Sequence, residues 1–160
     1  MEDTPTDPIS TIKDMFKSIN ENSSLRQETS DSMDESSKWW EVVKCFSGDN
    51  LVKAVKTLYR ETGKLVQEFY FSDWGLFFAF EQAHEYNRPM YRDEQTIEEN
   101  RDDEAFDPEK SVIKEHRYYF SHNEIIQYIW PDGSIEKYPA DPEAQRSIKA
   151  IWAAVKKIQN

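Results

Sequence analysis

The chain of 160 residues carries 31 acidic and 20 basic side chains, so its formal net charge at pH 7 is −11. Nucleic acids and anionic membranes favour a basic surface, so the acidic total argues against either as the main partner. The length predicts one domain with a core of its own, and an aromatic content of 14% indicates that large rings supply much of its burial.

The first predicted element is an amphipathic helix near the N-terminus. Asp7 is suited to cap it and Pro8 to occupy its first position, since proline needs no hydrogen-bond acceptor there. Apolar residues then recur at spacings of three and four: Ile9, Ile12, Phe16 and Ile19. From residue 20 to 37 the chain is rich in Ser, Asn and Glu, which predicts a mobile polar linker. We therefore assign residues 1–37 to a helix plus linker and 38–160 to a single α+β domain.

The middle of the chain predicts an antiparallel sheet built as a meander of about six strands. Apolar and aromatic segments alternate with turn sequences at residues 39–46, 51–60, 65–71, 76–82, 112–120, 124–130 and, in a short final strand, 135–138. All four glycines fall in the predicted turns, where a positive φ angle is useful. The positions of the glycines therefore predict where these hairpins turn and the register of their strands.

The last predicted element is a second helix, which begins after Asp141 with Pro142 at its first position. Its apolar stripe consists of Ala144, Ile148, Ile151, Trp152, Val155 and Ile158. The strand at 76–80 is apolar on both faces and must be covered on both sides. We expect the two terminal helices to cover it, giving an α+β fold in which an N-terminal and a C-terminal helix flank the sheet.

Residues 50–130 resemble a group of small uncharacterised exported or lipoprotein-like bacterial proteins of the Bacteroidetes type. The resemblance lies in the pattern Tyr59…Gly63-Lys64-Leu65…Glu68-Phe69-Tyr70-Phe71…Leu76-Phe77-Phe78…Tyr86-Asn87-Arg88-Pro89…Phe106-Asp107…Lys110-Ser111…Arg117-Tyr118-Tyr119-Phe120…Ile125-Ile126. It implies export to the periplasm or cell envelope, with the leader removed. No ligand or activity accompanies it, and the polar acidic N-terminus fits a cytoplasmic protein as the alternative.

The segment after the strand at 76–82 carries the residue types that recognition loops use. It combines rigid rings with directed hydrogen-bonding groups in Tyr86, Asn87, Arg88 and Tyr91. With His116 and Arg117 of a neighbouring predicted strand, these residues form the candidate ligand or partner site. The alternative is that the tyrosines cover the sheet edge, Arg88 pairs with acidic residues of the sheet, and His116 is an ordinary hydrogen-bonded sheet histidine.

Other candidate chemistry is weak. The acidic insert at residues 83–109 holds ten acidic side chains against three basic ones, but it lacks the glycine and alternating ligands of a calcium loop. The three histidines show no zinc-ligand spacing, and the single Cys45 allows neither an intramolecular disulfide nor a multi-cysteine metal site. We predict no catalytic residue, no metal and no cofactor.

These observations predict a non-catalytic binding or interaction domain of the bacterial cell envelope, whose partner is a protein or a small ligand. The alternative function is that of an acidic inhibitor or immunity-type protein, which binds a basic partner through the carboxylates of the insert. No stretch approaches the ~20 apolar residues of a membrane-spanning helix, so we expect no integral membrane segment.

Overall fold

The computed structural model describes residues 7–33, 39–88 and 105–159. Eight strands form one antiparallel sheet in which every strand pairs with its neighbours in sequence. The elements in chain order are α1 (Pro8–Glu21), β1 (Arg26–Met33), β2 (Trp39–Ser47), β3 (Asn50–Arg60), β4 (Gly63–Ser72), β5 (Gly75–Glu85), a 3-10 turn (Pro108–Lys110), β6 (Val112–Ser121), β7 (Glu124–Ile129), β8 (Ile135–Lys137) and α2 (Pro142–Gln159). This confirms the α+β meander with a helix before it and a helix after it.

The sheet begins one strand earlier than the sequence predicts. Residues 26–33 were expected in a mobile linker, but they form β1 and pair with β2 from Arg26 opposite Phe46 to Met33 opposite Trp39. The side chains of residues 26–31 are exposed, so this edge strand shows no apolar pattern and is held by its backbone pairing. With β1 the described part of the chain has eight strands rather than about six.

The two helices cover opposite faces of the sheet. The α1 face contains Tyr70, Phe77, Phe78 and Tyr119, which pack with Ile9 and Ile12 of the helix. The α2 face contains Phe69, Phe71, Leu76, Ala79, Tyr118, Phe120 and Tyr128, which pack with the apolar stripe of α2. Neighbouring residues of β4, and likewise of β6, are buried on alternate faces of the sheet. Because β5 lies between these two strands, it is covered on both sides, as expected.

Irregular pairing near the turns allows neighbouring residues of β5 to face the same helix. The register between β4 and β5 shifts between Tyr70 and Phe71, beside Leu76 and Phe78. As a result Phe77 and Phe78 both belong to the α1 side, whereas Leu76 and Ala79 belong to the α2 side. Such a bulge re-aims side chains without ending the strand.

The glycines lie at the turns as expected, but the reason that glycine is needed differs at Gly63. Gly48, Gly75 and Gly133 have φ angles of 60°, 100° and 88°. Gly63 has no positive φ; instead, a Cβ atom there would lie 2.0 Å from the carbonyl oxygen of His84. Glycine is therefore required at this position because the β4 and β5 backbones approach each other closely.

Both helices begin at the predicted caps. The Asp7 carboxylate accepts a hydrogen bond from the backbone N–H of Ile9 at 3.1 Å, and Asp141 accepts from Glu143 and Ala144 at 2.9 and 3.3 Å. These bonds satisfy N–H groups that have no partner inside a helix. Neither helix of the described residues combines the length and apolar character needed to cross a membrane.

Candidate functional site

The predicted recognition segment begins where β5 ends, and its first residues are held in place. The backbone N–H of Tyr86 donates to the carbonyl of Thr62 at 2.9 Å. The ring of Tyr86 packs edge-on against Phe106, with 4.9 Å between ring centroids. Tyr86 thus joins the β5 end to both the β3–β4 turn and the chain that leads into β6.

Asn87 links the two ends of the segment between β5 and β6. Its side-chain amide donates to the carbonyl of Ala105 at 2.8 Å, while its oxygen accepts from the backbone N–H of Asp107 at 2.9 Å. Arg88 donates to the carbonyl of Asn87 at 2.8 Å. Both ends of the Asn87 amide are therefore used to position the chain itself. Tyr91 lies outside the described residues.

His116 and Arg117 lie on β6, away from this segment, and their side chains point to opposite faces of the sheet. In the β5–β6 pairing, Glu85 is opposite Val112, whereas His116 is opposite Glu81, four residues further along β6. Because consecutive strand residues point to opposite faces, His116 faces α2 and Arg117 faces α1. The structure does not bring the five described residues of the predicted site together. Tyr86, Asn87 and Arg88 lie at the base of a loop, whereas the side chains of His116 and Arg117 lie on opposite faces of the sheet.

His116 belongs to a polar network beneath α2. Its Nδ1 shares a hydrogen bond with the hydroxyl of Tyr128, and its strand partner Glu81 accepts from the amide of Gln67 at 2.8 Å. Burial lowers the pKa of His116, although the nearby carboxylates of Glu81 and Glu143 act in the opposite direction. Neutral imidazole is therefore the favoured form.

The same network includes two tyrosines that have no exposed surface. Side-chain hydrogen bonds connect Tyr118 to Tyr128 and to Ser147 of α2. Burial, assisted by the charge of Glu81, raises the pKa of Tyr128 to about 12 and that of Tyr118 still further. Tyr118 and Tyr128 are both 0% exposed, so their hydroxyl groups join α2 to the sheet within the core.

A cleft of about 240 Å³ opens on the other face, between α1 and strands β5 and β6. We call it the α1 cleft. Its walls are mostly aromatic and aliphatic, and two cationic side chains also line it. The described residues that line it are Ile12, Lys13, Phe16, Phe78, Phe80, Arg117 and Tyr119. Phe16 and Phe78 meet edge-on with centroids 5.3 Å apart, and Phe78 and Tyr119 lie 5.0 Å apart. The rings therefore form a continuous apolar wall.

Arg117 is held against this wall. Its guanidinium carbon lies 4.7 Å from the centroid of Phe80, a cation–π distance. Its Nη2 donates to the carboxylate of Glu115 at 2.9 Å. The side chain of Arg117 remains 38% exposed, so the guanidinium is both positioned and accessible.

Polar contacts fix the C-terminal end of α1 beside this wall. The amide of Asn20 donates to the Tyr70 hydroxyl at 3.2 Å, and the Lys53 ammonium donates to the Asn20 oxygen at 2.6 Å. The Tyr70 hydroxyl also donates to Glu68, which lies 3.8 Å from Lys53. Burial and the Glu68 carboxylate raise the pKa of Tyr70. These contacts set how closely α1 approaches the sheet.

Sequence reasoning identified Arg117 as a candidate and expected aromatic residues of the sheet nearby, but it did not name the ones that surround Arg117. Phe78 and Phe80 alternate along β5, and Arg117 and Tyr119 alternate in the same way along β6. Adjacent strands with matching alternation place these four side chains on one face. This alternation can be read from the sequence. The cleft itself follows only from the strand register and from the position of α1 on the sheet.

No family model matches this chain, and no curated protein or solved structure is significantly similar to it. The resemblance at residues 50–130 and the cell-envelope location therefore stay predictions. The acidic residues at 93–104 lie outside the described residues. The inhibitor hypothesis, which depends on them, also stays a prediction.

Proposed function

We propose that this protein is a non-catalytic binding domain and that the α1 cleft is its ligand site. The observation that carries the proposal is a concave aromatic surface, formed by Phe16, Phe78, Phe80 and Tyr119, with a positioned arginine at one side. Sites for small ligands typically combine mostly apolar walls with a few directed polar groups.

The distribution of perturbed groups supports a binding role. The described tyrosines with the largest pKa shifts, Tyr70, Tyr118 and Tyr128, owe the shift first to burial, and these three are not among the residues that line the cleft. The carboxylate nearest to Arg117 in the β6 sequence, Glu115, is engaged with its guanidinium. The cleft thus offers shape, apolar contact and positive charge rather than a nucleophile or a general base.

The size of the cleft limits the ligand. Its volume of about 240 Å³ is below the ~300–1,000 Å³ of pockets that enclose drug-sized molecules. A compound of roughly ten non-hydrogen atoms, each contributing roughly 0.4 kcal/mol, would bind with a dissociation constant in the millimolar range. We therefore expect a fragment-sized ligand, or the apolar end of a longer one.

Heteronuclear NMR with small neutral probes tests this proposal. We expect phenylacetamide and 1-hexanol, added at millimolar concentration, to shift the amide resonances of residues around Phe16, Phe78 and Arg117. Phe80→Ala should weaken binding several-fold because it removes one wall of the cleft. Trp152→Ala is the matched control, since it removes an aromatic contact with Phe120, 5.0 Å away on the other face.

The outcome at the two faces decides the proposal. If neither probe shifts the resonances of the cleft at the highest concentration that its solubility allows, the α1 cleft is not a ligand site. The same conclusion follows if the probes bind the Phe80→Ala and wild-type proteins with equal affinity. Equal weakening by Trp152→Ala would also contradict it, because binding would then depend on general stability.

A further inference from the structure

Two cations line an otherwise apolar cleft in a protein whose net charge is −11. Lys13 comes from α1 and Arg117 from β6, so they approach the cleft from its two different walls. We propose that the ligand of the α1 cleft is a small anion with an apolar body, its anionic group held by Arg117 and Lys13. This inference rests on the proposed function and specifies the chemical class of its ligand.

The geometry of Arg117 suits an anion. A guanidinium has five N–H donors in a planar fork, and Glu115 engages it through Nη2. The contact with Phe80, at 4.7 Å, restricts the side chain before any ligand arrives. A cation already restricted in this way loses less conformational freedom on binding an anion than a mobile lysine does.

The charge balance at the cleft also favours an anion. Glu115 offsets one of the two positive charges, and Lys13 on the facing helix supplies the second. The carboxylate of Glu68 lies on the same face, on β4, two strands away from Arg117. It accepts a hydrogen bond from the Tyr70 hydroxyl and lies 3.8 Å from the ammonium of Lys53. The aromatic rings supply the apolar contact, and a carboxylate or similar group at the Arg117 side completes the match.

A pair of near-isosteric probes tests the charge preference. Phenylacetate and phenylacetamide share the same ring and differ in the charge of the terminal group. We expect phenylacetate to bind about fivefold more tightly at low salt, as one partly exposed charge contact allows. The preference should shrink when ionic strength rises from about 20 to about 300 mM, because salt screens exposed charges.

Variants identify the cations responsible. Arg117→Gln should abolish most of the preference for phenylacetate over phenylacetamide, and Lys13→Gln should reduce it. Arg117→Lys should keep part of it, which guards against a Gln variant that folds poorly. Lys17→Gln is the matched control, because Lys17 lies on the same helix, is exposed and is 3.9 Å from Glu21.

The results separate this inference from the function on which it rests. If both probes bind the cleft with equal affinity, or if Lys17→Gln reduces the preference as much as Arg117→Gln, the anion inference is wrong although the cleft is still a ligand site. If neither probe perturbs the cleft, the proposed function itself fails.

Discussion

The two faces of one sheet are covered in different ways. On one face α2, 18 residues long, buries Ala144, Ile148, Ile151, Ala154, Val155 and Ile158. On the other face α1, 14 residues long, buries Ile9 and Ile12 and leaves the α1 cleft beside it. The longer helix α2 closes a core over its face, whereas the shorter helix α1 leaves the α1 cleft open beside it.

The helices are also fastened differently. The last turn of α2 is bonded to the sheet, since the Lys44 ammonium donates to the carbonyl of Ile158 at 2.7 Å. This places a positive charge where the helix dipole is negative. The corresponding contact of α1 is made by a side chain, Asn20, through Lys53 and Tyr70. The attachment of α1 to the sheet therefore depends on this polar cluster as well as on apolar packing.

Truncation of one buried isoleucine on each face should give the largest difference. Ile151 is 0% exposed and Ile12 is 4% exposed. We expect Ile151→Ala to lower the free energy of unfolding by about 3–4 kcal/mol because it leaves a closed cavity. Ile12→Ala should cost about 2 kcal/mol, because the lost volume joins an open cleft. Urea unfolding measures both, and equal losses would contradict the distinction between a closed and an open face.

Acidification should act on the α2 face through His116. Burial holds the pKa of His116 below the ordinary value of 6.5, despite Glu81 and Glu143, and Lys114 adds to the lowering. The unfolded chain therefore takes up a proton at higher pH than the folded protein. The free energy of unfolding should fall as pH decreases below about 6.5, until the folded-state pKa is passed.

The control for this pH dependence is His116→Gln, which removes the titrating group. Its unfolding free energy should depend less steeply on pH between about 6.5 and 5 than that of the wild type. His84 also has a pKa lowered by burial, so some slope should remain in the variant. An unchanged slope would show that His116 does not couple protonation to folding.

Asn20→Ala should have the smallest effect, and only on α1. It removes the acceptor of Lys53 and a donor to Tyr70, which we expect to cost about 1 kcal/mol of global stability. Amide hydrogen exchange should accelerate along α1 and stay unchanged in α2. Equal acceleration in both helices would indicate that the two faces unfold as one unit.

The sequence was informative where a local rule determines the structure. The cap at Asp7, the cap at Asp141 and the apolar run at 76–80 identified both helices and the doubly covered strand. Each of these signals lies within a few residues of the element that it specifies. The missed strand β1 carries no such signal, because its exposed side chains contribute no pattern and only its pairing with β2 defines it.

Periodicity in the sequence by itself determined the order of the elements and the face on which each helix is apolar. Tertiary structure decided that Asn87 bonds to the chain that leads into β6, that His116 and Arg117 face different helices, and that α1 and Phe80 line one cleft. The physical reason is range: caps, turns and apolar stripes are contacts between near neighbours. A cleft depends on strand register and on where a helix rests, which are set by residues far apart in the chain.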